Sequence, residues 1–214
     1  VKGYRFVDED LKSEHGMVQW TIGEWKKLQV DEEHPLKLCE YGLHGCDEPI
    51  DSLNYVFGNR WFMCEAKGKI LKDSDKFCAQ KMRLTKEIPI VILRKFAIEC
   101  VRHVLPIFEK QYPNDQRPRE AIVAAEEYLK NPSSENLKIL KEKEMAAGAA
   151  AGAAGAAMAA AGAAGAAAGA AGAAGAAAGA ARAAAGAAAG AARAAGAAER
   201  QWQNRKLKQL IKEA

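Results

Sequence analysis

The sequence predicts an α+β protein, with a small strand-rich N-terminal domain followed by an α-helical domain that has a very long Ala/Gly-rich helix. Three observations carry that prediction. Short runs of aromatic and β-favouring residues fill the first 88 positions, hydrophobic spacing turns helical after Pro89, and residues 146–198 are almost wholly Ala and Gly. The expected domains are 1–88, 89–145 and 146–214, the last ending in a basic amphipathic stretch.

In the first domain, residues 4–7, 17–22, 36–39, 61–66 and 77–84 read as strands separated by charged or Gly-bearing turns. One short helix is expected among them. Asp47 can cap it, Pro49 suits its first turn, and Ile50, Leu53 and Tyr55 lie near one face. In the second domain, Ile90, Leu93, Ala97, Cys100, Val101, Val104 and Phe108 recur at helical spacing across residues 90–112, with Pro106 expected to kink or restart the helix. A Pro-bounded loop at 112–118 then feeds a helix from about Arg119 to Lys130, which Pro132 closes. Ser133 or Ser134 can cap a third helix containing Leu137 and Leu140, with no breaker before the Ala/Gly tract.

The 53-residue tract holds 38 Ala, 12 Gly, two Arg and one Met. Collagen is excluded because Gly does not fall on every third position. The non-alanine residues are Gly148, Gly152, Gly155, Met158, Gly162, Gly165, Gly169, Gly172, Gly175, Gly179, Arg182, Gly186, Gly190, Arg193 and Gly196, separated only by steps of three or four. Such spacing keeps one stripe on one face of a helix, close to the coiled-coil period. Twelve glycines in place of alanine cost such a helix roughly 12 kcal/mol. At 1.5 Å per residue it would reach about 80 Å. A helix this long and this weak needs neighbours, and small residues let backbones approach closely, so self-association into a homo-oligomer through the stripe is expected. A membrane-associated Ala/Gly helix is an alternative reading, since 36 uncharged residues precede Arg182. Ala and Gly supply little transfer energy for it.

The net charge of +4 sits in the two tract arginines and the last 16 residues, leaving the first 145 near neutrality. That distribution gives no reason to expect a nucleic-acid partner. Five cysteines, an odd number without CxxC spacing, favour neither a disulfide framework nor a zinc site, so reduced thiols in the cytoplasm are expected. Cys39, His44 and Cys46 have partial metal-ligand spacing but no evident fourth partner, and no metal is assigned. His103 reads as a core-flanking, hydrogen-bonded residue; a proton-transfer role would require a carboxylate that the sequence does not place.

The helical half carries a family resemblance. Arg94-Lys95-Phe96-Ala97-Ile98-Glu99-Cys100, Arg102-His103-Val104-Leu105-Pro106-Ile107-Phe108-Glu109, Tyr112-Pro113, Arg117-Pro118-Arg119-Glu120-Ala121-Ile122 and Glu199-Arg200-Gln201-Trp202-Gln203 resemble a family of bacterial immunity proteins over about residues 90–212. The resemblance implies inhibition of a toxin by binding and brings no catalytic residues or cofactor with it. In the first half, Leu38-Cys39, Gly42-Leu43-His44 and Asn54-Tyr55 resemble phage and bacterial proteins of unknown function. Gly42-Leu43-His44, Ser52-Leu53-Asn54-Tyr55 and Trp61-Phe62-Met63-Cys64-Glu65-Ala66 also resemble, more distantly, the core of the ADP-ribosyltransferases. That resemblance implies a nicotinamide dinucleotide held by His44, Ser52 and Tyr55, with His44 standing where a stacking Tyr is expected, and Glu87 as the late acidic residue. The reading favoured by the whole chain is a non-enzymatic binding or assembly module, and the dinucleotide-binding transferase is its enzymatic alternative.

Overall fold

A computed structural model describes residues 1–13, 18–150 and 197–214. The chain forms two compact units, Val1–Pro89 and Ile90–Ala214.

The first unit is built on an antiparallel sheet of strands β1 (Lys2–Val7), β2 (Lys26–Lys27), β3 (Leu43–Gly45), β4 (Arg60–Lys72) and β5 (Phe77–Ile88), ordered β1-β4-β5-β2 with β3 also paired to β5. The long β4–β5 hairpin is its backbone. Along β4 the side chains alternate, so Phe62, Cys64 and Ala66 turn inward, where they meet Phe77, Ala79, Met82 and Leu84 of β5 in one apolar cluster. Register shifts after Phe62 and after Lys67 bend the hairpin, and Gly68 takes the positive φ of 81° that the second irregularity requires.

A four-residue helix, α1 (Pro49–Ser52), lies between β3 and β4. Glu48, not Asp47, precedes it as the cap residue, without a side-chain capping bond. The Asp47 carboxylate instead pairs with Lys72 Nζ at 2.7 Å. Ile50 and Leu53 are buried as expected, but the helix stops at Ser52 and Tyr55 stands exposed beyond it.

Two expected strands are loops. Residues 18–22 make a single bridge, Gln19 to Lys12, while the Trp20 N–H bonds the Leu11 carbonyl at 2.8 Å and its ring plugs the core. Here an aromatic-rich run serves packing rather than a ladder. Residues 36–39 enter a turn closed by reciprocal 2.8 Å bonds between Lys37 and Tyr41, with Cys39 at φ 65°. The pairing falls to Leu43–Gly45 instead, and to two lysines in β2 whose charge hides them from any hydrophobic pattern.

In the second unit, α2 (Val91–Gln111) buries Leu93, Ala97, Cys100, Val101, Val104 and Phe108 on one face. Pro106 does not restart it; the helix is continuous. An interior proline costs about 3 kcal/mol, and the buried Val104, Leu105 and Phe108 around it offset that cost. Helix α3 (Arg117–Lys130) begins two residues before the expected start, because Pro118 suits a first turn and the Asp115 carboxylate accepts the Arg117 N–H at 3.1 Å. Helix α4 (Ser134–Ala150) follows, its first turn held by Ser133 Oγ accepting the Asn136 N–H at 3.1 Å.

The last helix, α5 (Ala197–Glu213), packs on α2 and buries Glu199, Gln203, Leu207 and Ile211, one residue per turn. Arg200, Arg205, Lys208 and Lys212 remain exposed, as a solvated face would have them. Of the stripe expected to mediate assembly, only Gly148 falls in a described helix, and Gly152 through Gly196 lie outside the described residues. No helix among the described residues is long and apolar enough to cross a membrane.

Candidate functional site

In the first unit β1 and β3 meet through Tyr4 and Cys46, which exchange backbone bonds of 2.8 and 2.9 Å. Such close approach needs Gly3, where a Cβ would stand 2.6 Å from the Cys46 carbonyl and 2.7 Å from the Phe77 ring. Beside this junction is a cavity of about 320 Å³. Tyr4 and Arg5 of β1, His44 of β3, Ser52 of α1, Tyr55, and Lys76 from the β4–β5 turn all line it. The three side chains that the sequence suggests for a cofactor therefore share one cavity.

Their polar atoms are nonetheless engaged within the unit. Ser52 Oγ donates to the Pro49 carbonyl at 2.7 Å and accepts the Trp61 indole N–H at 3.1 Å. The Tyr55 hydroxyl donates to Asp75 at 2.6 Å, and Lys76 Nζ lies 4.9 Å from the centre of the Tyr55 ring. His44 Nε2 accepts the Cys39 N–H at 3.0 Å. Burial, then the nearby Arg5 charge, hold the His44 pKa below the ordinary histidine value, so the ring is neutral at pH 7.

Cysteines 39 and 46 do not join His44 as ligands. The His44 lone pair is taken by backbone, and burial pushes the Cys46 thiol up to about 12, where it stays protonated. No group of three His, Cys, Asp or Glu side chains among the described residues could hold a metal ion. Glu87 is absent from the cavity; it grips Arg60 in a two-pronged ion pair of 2.9 and 2.6 Å.

Arg5 is the residue that the sequence did not single out for this cavity. Its guanidinium lies 4.6 Å above the Trp20 ring, and it donates to Ser13 Oγ at 3.1 Å and to the Met82 sulfur at 3.7 Å. Its Nε is buried with no hydrogen-bond partner among the described residues. Burial lowers its pKa to about 10, which leaves it charged at pH 7. An arginine inside a run of aromatic and apolar strand residues was the available signal.

The second unit gathers a different cluster where α5 meets α2. His103 Nδ1 is 2.8 Å from Glu199 Oε2, and Gln203 donates to the other carboxylate oxygen at 3.2 Å. Trp202 stacks flat on the His103 ring, with centroids 3.8 Å apart and planes 5° off parallel. Lys206 reaches Glu99 at 2.9 Å, which sets the two helices antiparallel at this point. The carboxylate that His103 lacked in the sequence is thus supplied by the start of the final helix.

Comparison with known proteins divides the chain in a similar way. Residues 1–94 match a domain of unknown function, DUF7666, whose description names no activity. Residues 83–210 match a family described as Imm-5 like putative immunity protein. No curated protein and no solved structure matches the chain.

Proposed function

The chain belongs to the Imm-5 like putative immunity protein family, and from that premise we propose that it neutralises a toxic partner protein by binding it through its helical unit. The match that carries this reading spans α2 to α4 and most of α5. The surface chemistry supports it. Val123 of α3 and Ile139 and Met145 of α4 are exposed large apolar side chains, Met145 by 69%, and Glu127, Lys138 and Glu142 stand exposed close by in sequence. Exposed apolar side chains among charged ones are the kind of group that a protein interface buries.

The test is growth rescue. Cells producing a toxin encoded beside this chain's gene are grown with and without the chain, and the purified pair is run on a sizing column. Restored growth together with a stable complex supports neutralisation by binding. Undiminished killing by a toxin that forms no complex with the folded chain overturns it.

Self-association is a second reading, favoured by the three-and-four spacing from Gly148 to Gly196 and by the helices flanking it, α4 to Ala150 and α5 from Ala197. Light scattering on the full chain and on a chain lacking residues 151–196 tests it. A larger mass for the full chain alone supports assembly through the tract, and a monomer in both cases rejects it.

A further inference from the structure

We infer that the cavity of the first unit binds a small organic anion, one carboxylate or phosphate on an apolar body, with Arg5 as its charge partner. This inference is independent of the toxin reading, which concerns the helical unit.

The argument begins with charge balance. A guanidinium offers five N–H donors in a planar fork, yet the described partners of Arg5 are a hydroxyl, a thioether sulfur and an indole face. None carries a negative charge, and a thioether is a weak acceptor. The Ser13 hydroxyl is shared, since it also accepts the Trp20 indole N–H at 2.9 Å. A cation withdrawn from water without a counter-charge is costly, and the group cannot escape the cost by losing its proton at neutral pH.

Neither the acidic residue among the described lining residues nor Asp75 beside Tyr55 remedies this. Glu40 lines the cavity but is paired with Lys37 at 2.6 Å, and Asp75 accepts the Tyr55 hydroxyl. Lys76 adds a second positive charge to the lining. Among the described residues the lining therefore holds a surplus of positive charge, and an anion is the ligand class that removes it. A carboxylate or a phosphate can each meet the guanidinium fork in a two-pronged contact.

The remaining wall defines the rest of the ligand. Phe6, Leu28, Leu43 and Phe57 give an apolar lining, and about 320 Å³ is at the small end of pockets that hold organic molecules. With Ser52, His44 and Tyr55 already bonded internally, a neutral polar ligand finds few partners, whereas an anion finds the Arg5 guanidinium and the positive field of Lys76, whose ammonium bonds Cys39 and Tyr55.

The probes are phenyl phosphate, benzoate and the neutral isostere benzyl alcohol, titrated into the full chain by NMR. The expected result is saturable binding of one or both anions, with a moving Trp20 indole signal, and at least tenfold weaker binding of benzyl alcohol. The two anions separate phosphate from carboxylate preference. Arg5→Met should lose at least tenfold in anion affinity and Arg5→Lys should recover part of it. No saturation by either anion up to millimolar concentration overturns the inference. So does equal affinity for benzyl alcohol, a comparison on the unaltered chain that stands even if Arg5→Met fails to fold.

Discussion

His103 and Glu199, 96 residues apart in sequence, meet at 2.8 Å with Trp202 laid flat against the imidazole. The Glu199 side chain is almost fully enclosed while His103 keeps 41% of its side-chain surface, so the contact is a buried acid reached by a half-exposed ring. Removing the ring leaves one carboxylate oxygen of the acid without its partner, while Gln203 still serves the other. His103→Ala should lower the stability of the helical unit by about 1–3 kcal/mol, and Glu199→Gln, which keeps an acceptor and the shape, by less. Urea unfolding of both single variants and the double variant checks this. An additive double variant would show that the two residues do not act as a pair.

Ser52 supports Trp61 in the first unit. The buried indole N–H has that hydroxyl as its acceptor, so Ser52→Ala leaves the donor unpaired at a cost of about 1–3 kcal/mol. Thermal unfolding followed by tryptophan fluorescence measures the loss. An unchanged midpoint would mean that the ring finds another acceptor.

The thiols should separate cleanly by reactivity. Burial pushes Cys46 and Cys64 up to about 12 and raises Cys78 and Cys100 as well, whereas Cys39 is exposed. A thiolate forms only as pH rises through the thiol's own pKa, so at pH 8 the four buried groups stay protonated and shielded. A thiol-specific colorimetric reagent should count about one reactive cysteine in the native chain and five after denaturation. Fast native labelling at two or more sites would contradict the packing around β3 to β5 or the buried face of α2.

Arg5 makes an opposite prediction for stability. Replacing a half-buried charge that has no counter-charge among the described residues by an apolar side chain of similar length is often neutral or stabilising, so Arg5→Met should leave the first unit as stable or about 1 kcal/mol more stable. Thermal unfolding without added ligand measures this. A loss above about 2 kcal/mol would show that the contacts to Ser13 and Trp20 hold the core together.

The helical half was more legible in the sequence than the sheet. Apolar periodicity placed α2 with its buried face, because helix spacing is local and Leu93, Ala97 and Val104 repeat it over about three turns. The sheet depends on partners far along the chain. Two lysines form β2 because Met82 and Lys81 lie opposite them, and no local signal in Lys26-Lys27 says so. His44, Ser52 and Tyr55 entered through the resemblance to the ADP-ribosyltransferase core and line one cavity, but Arg5 acquires meaning only when Ser13, Trp20 and Met82 surround it. Glu199 stayed hidden as the partner of His103 for the same reason, since helix docking and not sequence proximity brings them together.

The buried stripe of α5 has a consequence for how that helix seats. Its first two positions, Glu199 and Gln203, are polar, and its last two, Leu207 and Ile211, are apolar. Displacement by one turn along α2 would offer an amide to His103, take the enclosed carboxylate away from the imidazole, and shift Lys206 away from Glu99. An all-leucine stripe would tolerate that slip; this one penalises it. The final helix is keyed to a single axial position, and the polar residues in its contact contribute alignment more than strength.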